Sequence, residues 1–180
     1  MADPLVRPLS RADDRSALGC RESVLNTFFA QFAWQNQDRH RLSSTYVLET
    51  EAGLVGFLTV SAAHLEAETS PGGKRFPNYT LPVLVLARMG TSERVKGQHL
   101  GTYLVLRAFE LAVRMSREIG CVGISLHAKG SSYSYWKEKW NFGPSETVEE
   151  AADPLAPVPM FLPIRTVEKW LEQMRPNEPG

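Results

Sequence analysis

Leu81-Pro82-Val83-Leu84-Val85-Leu86-Ala87-Arg88-Met89-Gly90-Thr91-Ser92-Glu93-Arg94-Val95-Lys96-Gly97-Gln98-His99-Leu100-Gly101 is the part of the chain around which the rest is arranged. Its branched apolar run, Val83 to Leu86, predicts a buried strand. Apolar character is lost from Gly90 to Lys96. After Gly97 a helical repeat begins and continues to about Glu118. A strand, a polar loop holding glycine and a helix that starts where the glycine ends make an anion site. The first helical turn has amide groups with no partner inside the helix, and the helix dipole favours negative charge there. Arg94 and Lys96 add positive charge beside it. The stretch is therefore expected to cradle a diphosphate.

Two better-known phosphate loops are excluded. No Gly-Lys-Ser/Thr stands here for a P-loop, and no Gly-x-Gly-x-x-Gly for a dinucleotide fold. The pattern Arg94-x-x-Gly97-x-His99-Leu100-Gly101 instead resembles the Arg/Gln-x-x-Gly-x-Gly/Ala signature of the GNAT N-acetyltransferase superfamily. Leu86-Ala87-Arg88-Met89 before it is similar to the toxin-type branch, whose members acetylate aminoacyl-tRNA. A second, separate stretch is similar to the opening of that branch: Gly19-Cys20-Arg21-Glu22-Ser23-Val24-Leu25-Asn26-Thr27-Phe28-Phe29, leading to Ser44-Thr45-Tyr46-Val47. The likeness extends from about residue 14 to about residue 164. It implies acetyl-CoA as co-substrate, with the backbone of Met89, Gly90 and Thr91 at the thioester carbonyl. Arg94, Val95, Lys96, Gly97, Gln98, His99, Leu100, Gly101 and Thr102 would then lie around the pyrophosphate. His99 departs from the pattern, because the family carries a small residue there.

At 180 residues the chain reads as a single domain over 1–180, with a core from about 6 to 164 and a C-terminal helix from 166 to 175. Lys plus Arg and Asp plus Glu number 20 each, so no overall field steers the chain to nucleic acid or to an anionic membrane. Cys20 and Cys121 are far apart with no metal-ligand spacing, and read as reduced thiols of a cytoplasmic protein. No metal is expected. No apolar run approaches the roughly 20 residues of a membrane span.

Taken in order, the pattern predicts a short edge strand at Val6 to Leu9, interrupted by Pro8, and a helix from Glu22 to Gln37 with Val24, Leu25, Phe28, Phe29, Phe32 and Ala33 on one buried face. Thr45 to Leu48 and Leu54 to Ser61 form a hairpin around Glu51-Ala52-Gly53. His64 to Thr80, with Pro71-Gly72-Gly73 and Lys74-Arg75, reads as a long loop; in the similar branch this region lies near the acceptor side. On the long helix Leu100, Leu104, Leu111 and Met115 face the core, while Arg107, Arg114 and Arg117 take water. Gly120 ends it. Cys121 to Ala128 is a strand parallel to the one at Val83, because a helix separates them. An aromatic-rich helix spans Ser131 to Trp140. Asn141 takes a left-handed turn in the family's glycine position. A connector runs from Glu149 to Pro159, a last strand from Pro159 to Ile164, and Thr166 caps a terminal helix that reaches Met174. The last six residues read as disordered. The fold class implied is α/β (α+β): a mixed, mostly antiparallel central sheet with one splayed parallel strand pair, flanked by helices, plus an extra C-terminal helix.

Acetyl transfer from a thioester needs a neutral amine aimed at the carbonyl, a polarised carbonyl oxygen and a proton for the leaving thiolate. Direct attack in a ternary complex needs no protein nucleophile, in keeping with cysteines that sit in no Cys-His arrangement. The family's acid is a tyrosine on the short helix, and without a gap that position holds Lys137. Tyr133, one turn earlier on the same face, and Tyr135 are the phenols nearby, so the acid is Tyr133 or Tyr135, with Lys137 a third donor. An α-amine (pKa ~8) is easier to deprotonate than a lysine (~10.4). Glu66 and Glu93, the carboxylates near the site, read as solvated and offer no buried base. The acceptor is then an α-amine, on aminoacyl-tRNA or a small molecule. The alternatives are an acyl-CoA-binding module without catalysis, or transfer to another small-molecule or protein amine. Whether an antitoxin restrains the chain, and whether it forms a homodimer, stay open here.

Overall fold

β-Branched and aromatic residues at alternate positions fold the expected hairpin. In the computed structural model, which describes residues 3–65, 80–145 and 156–174, β2 (Ser44–Thr50) pairs antiparallel with β3 (Gly53–Leu65), placing Thr45 opposite Thr59 and Val47 opposite Phe57. The two buried threonines share a hydrogen bond of 2.9 Å, which satisfies both hydroxyls. β1 (Leu5–Pro8) pairs antiparallel with β2. It stands at the sheet edge, where a proline removes no ladder bond.

Contacts divide the chain into two compact units, Met1–Ser61 with Leu86–Ala108 and Ala62–Val85 with Phe109–Gly180. In the first, α1 (Ser23–Gln31) and α2 (Ala33–Asp38) replace the single helix expected from Glu22 to Gln37. The bend is at Phe32, whose φ of −114° leaves the helical range. The i→i−4 bonds run through it, Phe32 N–H to Phe28 and Asn36 N–H to Phe32, so the helix turns without losing its ladder. The expected stripe is only partly buried. Phe29 and Ala33 are fully covered, while Val24 is 66% and Phe32 46% exposed. The Phe29 and Phe57 rings stack at 4.8 Å in the middle of this unit's core, beside Leu9, Leu18, Phe28 and Val47.

β4 (Leu81–Thr91) runs further than the apolar pattern indicates. Gly90 and Thr91 are strand, not loop, because backbone pairing does not need apolar side chains. A 3-10 turn at Glu93–Val95 follows, and α3 (Gly101–Glu118) begins four residues later than Gly97. The reason is conformational: Gly97 has φ +80° and His99 φ +55°, and neither value fits a right-handed helix. The core stripe of α3 is Leu104, Val105, Ala108, Phe109 and Ala112, each at 0% exposure. Leu111 and Met115 are only half-buried, and Arg107 is half-buried as well. Its guanidinium carbon lies 4.9 Å from the Tyr46 ring centre instead of in open water. An arginine stem covers apolar surface while its head meets the ring face. α3 ends as expected at Gly120, φ +102°.

In the second unit β5 (Gly123–Ala128) is parallel to β4, in register at Leu84↔Ile124 and Val85↔Ser125. α4 (Gly130–Ser134) passes into a π turn at Tyr135–Lys139. β6 (Gly143–Pro144), too short for any periodicity to signal, pairs antiparallel with β7 (Val158–Pro163), which also pairs antiparallel with β5. Gly123 is obligatory here: a Cβ would stand 2.3 Å from the Leu162 carbonyl oxygen. α5 (Ile164–Met174) starts at the very end of β7. Thr166 is thus inside its first turn and not its cap, since the Ile164 N–H already donates to Val122. Trp140 meets Phe109 and Trp170, both at 5.4 Å between ring centres.

The strands form a seven-stranded sheet in the order β1-β2-β3-β4-β5-β7-β6. It is mostly antiparallel with one parallel pair and flanked by helices, the GNAT architecture. Pro71-Gly72-Gly73, Lys74, Arg75, Glu66, the Glu149 end of the connector and the last six residues lie outside the described residues.

Candidate functional site

Three short contacts fix the end of β4. Ser92 donates its N–H to Val55 (2.8 Å), and Glu93 donates its N–H to Gly19 (2.9 Å). Cys20 forms a single antiparallel bridge with Ser92. Cys20 is itself held at both backbone groups by Asn26 on α1, whose Oδ1 accepts from the Cys20 N–H and whose Nδ2 donates to the Cys20 carbonyl, both at 2.8 Å. Asn26 was legible only as part of a resemblance; its task is to anchor the segment that anchors the loop. Asn26→Ala is expected to destabilise the chain by about 1–3 kcal/mol, since two half-buried backbone groups lose their partner. A urea midpoint lowered with unchanged slope checks this.

Between Lys96 and α3 the backbone is irregular: Gly97 and His99 are left-handed, and the Gln98 N–H between them donates to Val95 (3.2 Å). Thr102 N–H donates to His99 (3.1 Å) and Tyr103 N–H to Leu100 (3.1 Å), so the helix start uses part of its own donor set. The N–H groups of Gly97, His99, Leu100 and Gly101 donate to no acceptor among the described residues. Gly97, Gln98 and His99 are exposed, and Leu100, Gly101 and Thr102 half-buried. Val95, 8% exposed, plugs the 3-10 turn into the core beneath them.

The two basic side chains are engaged. Arg94 Nε donates to Ser92 Oγ (3.2 Å) and Nη2 to the Leu54 carbonyl (3.3 Å). There it lines a cleft of about 360 Å³ with Arg7, Asp13, Asp14 and Glu49. In that cleft Arg7 makes ion pairs to Asp13 (2.8 Å) and Glu49 (2.7 Å). The Arg7 guanidinium holds the Asp13 carboxyl below its usual range. Lys96 Nζ lies 3.6 Å from Glu93. Glu93 is therefore paired at the surface and is not placed as a buried base. Both cations of the loop are thus engaged within the fold, and the donors it leaves open are backbone amides.

Met89 and Thr91 are half-buried and Gly90 is buried. A Cβ on Gly90 would meet Cys20 Sγ at 2.8 Å, so the strand passes here at glycine distance from the segment it pairs with. Burial pushes the Cys20 thiol up to about 11, and burial also raises Cys121. Neither is a thiolate at neutral pH, so neither offers a nucleophile. Among the described residues no group of three or more His, Cys, Asp or Glu gathers to hold a metal.

The second unit carries the aromatic helix. Tyr133 and Tyr135 are half-buried, and Lys137 is exposed. Lys137 Nζ lies 5.7 Å from the Tyr133 ring centre and Lys139 Nζ 5.5 Å from that of Tyr135. The expected shared face of Tyr133 and Lys137 is present. The π turn is closed by Phe142 N–H to Trp136 (3.1 Å) and Asn141 N–H to Lys137 (3.2 Å), with Asn141 left-handed at φ +61° as anticipated. Burial raises the Tyr135 phenol above its ordinary value, and the Trp140 indole beside it works the other way. His127 is exposed at the end of β5. No helix among the described residues is long and apolar enough to cross a membrane.

No family model matches the chain. Solved structures do. A bacterial toxin superposes with a TM-score of 0.84 at 17% identity, covering 99% of this chain and 100% of that one. A KacT variant with a tyrosine replaced by phenylalanine gives 0.80 at 21% identity, covering 94% and 99%. AtaT complexed with acetyl-methionyl-tRNAfMet gives 0.79 at 21% identity, also covering 94% and 99%. AtaT has further been solved with acetyl-CoA and the C-terminus of its antitoxin AtaR. At these identities the likeness speaks for the fold. The chain folds as these toxins do over nearly its whole length.

Proposed function

We propose that this chain transfers acetyl from acetyl-CoA to a primary amine by direct attack, and that the acceptor is the α-amine of an aminoacyl-tRNA. The observation that carries the first half is the set of amides at Gly97, His99, Leu100 and Gly101 that donate to no acceptor among the described residues, set between β4 and α3. Bare donors at a helix start suit a diphosphate, and backbone amides oriented in advance need no reorganisation to hold it. The pantetheine arm would run along β4 past Val85, where the reading requires β4 and β5 to part. Met89, Gly90 and Thr91 would offer the backbone N–H that polarises the thioester carbonyl. The neutral amine attacks that carbon, the C–S bond breaks, the thiolate takes a proton from Tyr133 or Tyr135, and the proton the nitrogen loses as it becomes the amide restores the phenol.

For the acceptor, support comes from AtaT, solved with an acetylated aminoacyl-tRNA, and from the absence of a buried carboxylate base at Glu93. On the same analogy an antitoxin would restrain the activity, as AtaR and the partner in the KacTA complex are bound by their toxins. The direct test is thermal. Acetyl-CoA at a hundred times its Kd should stabilise the fold by about 2.7 kcal/mol, a rise in Tm of roughly 5–10 °C for a chain of this size. No shift at millimolar acetyl-CoA sinks the proposal. A shift without turnover on aminoacyl-tRNA or any amine points to the binding module that Lys137, in the family's tyrosine position, makes a specific second reading.

A further inference from the structure

Arg88 stands on β4 one residue before Met89, the first of the residues assigned above to the thioester carbonyl. Side chains alternate along a strand, so Arg88 shares its face with Gly90 and not with Met89. That face looks toward α1 and the segment before it: a Cβ on Gly90 would meet Cys20, Leu25 and Phe57 at 2.8, 3.1 and 3.3 Å. On it the Arg88 guanidinium carbon lies 4.4 Å from the ring centre of Phe28. The ring is 8% exposed while Arg88 is exposed. A cation seated on a buried ring face has a fixed position without spending its N–H donors. Arg88 makes no ion pair and no hydrogen bond among the described residues. Arg94, Lys96, Arg7 and Arg114, in contrast, are all paired.

We infer that Arg88 binds an anionic group, carboxylate or phosphate, that the acceptor carries near its reacting amine. The guanidinium offers the forked donors that both anions match. Its place one residue from the carbonyl end of β4 sets the amine and the anion within about one side chain's reach of each other. The acceptor then approaches over α1, with its anion on Arg88 and its amine toward Met89. This rests on the acetyl-transfer reading and adds to it the chemistry that selects the acceptor.

Two matched acceptor pairs test it with the full chain and acetyl-CoA: glycylglycine against glycylglycinamide, and a glycylated aminonucleoside with against without its 5′-phosphate. The wild-type chain should favour the charged member of one pair, and which pair responds identifies carboxylate or phosphate as the source. Arg88→Gln should raise KM for that member about tenfold or more, with kcat within about twofold, and leave the neutral member unchanged. Arg88→Lys should restore part of the preference. Absence of any preference in the wild-type chain overturns the inference, as does an equal loss on charged and neutral acceptors, which a purely structural role would give. The acetyl-CoA thermal shift, read in the same samples, separates the two layers. A retained shift with no effect of Arg88 overturns only this inference. A missing shift overturns the acetyl-transfer reading and this inference with it.

Discussion

Gly97→Glu is expected to abolish the thermal shift that acetyl-CoA gives the wild-type chain while leaving the apo fold intact. The separation of the two effects comes from the surroundings of Gly97. A Cβ there meets nothing within 4 Å, so the new side chain collides with no neighbour. The φ of +80° is unfavourable for a residue with a Cβ, a destabilisation of about 1–2 kcal/mol. The loss of affinity is larger. A carboxylate ~5 Å from a phosphate in a surface environment is repelled by about 3 kcal/mol, beyond a hundredfold in Kd, and the diphosphate doubles the opposing charge. Gly97→Ala separates strain from charge: it should lower apo Tm by a similar amount and keep most of the shift. Equal shifts in wild type and Gly97→Glu would mean that acetyl-CoA is held elsewhere or by other groups.

What the sequence made legible, and what it concealed, follow from range. The apolar run before Met89 and the helical period read after Gly97 are local patterns, and both became elements of the kind they indicate, the helix starting at Gly101. The helix starts later than Gly97 because His99 as well as Gly97 is left-handed, a conformation that histidine takes more often than most side chains but not often enough to be read from its type. Asn141, in contrast, was readable, since asparagine tolerates that conformation. The charge expected of Arg94 was redirected by a partner 40 residues away, the Leu54 carbonyl. No pattern within the loop could contain that. The grip of Asn26 on Cys20 and the bridge from Cys20 to Ser92 are tertiary in the same sense. Arg88 is visible as a motif letter, but its seat on Phe28, and its lack of an ion pair or hydrogen bond among the described residues, required coordinates.

His99 also bears on how the loop would hold the proposed diphosphate. A histidine in a left-handed conformation is maintained against its own backbone preference. The fold accepts that strain where glycine would have relieved it, while the flanking Gly97 already supplies one unstrained left-handed residue. The run of amides therefore depends on two neighbours of different kinds, a glycine that bends freely and a histidine that is bent by its context. Within the loop the free donors are backbone amides and not the Arg94 and Lys96 side chains: those amides meet no acceptor among the described residues, while both cations have found other partners.

Tyr135→Phe is expected to lower kcat by about a hundredfold with the acetyl-CoA thermal shift unchanged, the range that loss of a general acid produces. Burial raises the Tyr135 phenol above the ordinary tyrosine value, and the paired Tyr133 and Tyr135 variants, not that shift, decide which phenol is the acid. The sign matters. An acid must carry its proton when the thiolate leaves, and a raised pKa keeps the phenol protonated throughout the neutral range. The high-pH limb of kcat should accordingly fall above ~10, the unperturbed tyrosine value, and should vanish in the phenylalanine variant. Tyr133→Phe, whose ring receives Lys137 at 5.7 Å, should change kcat by no more than about threefold if its part is packing alone. A large loss in Tyr133→Phe with little in Tyr135→Phe would transfer the role two residues back, about half a turn toward the start of α4. Full activity in both single variants and in the double variant would remove tyrosine from the mechanism, and Lys137→Met would then be the variant expected to stop turnover.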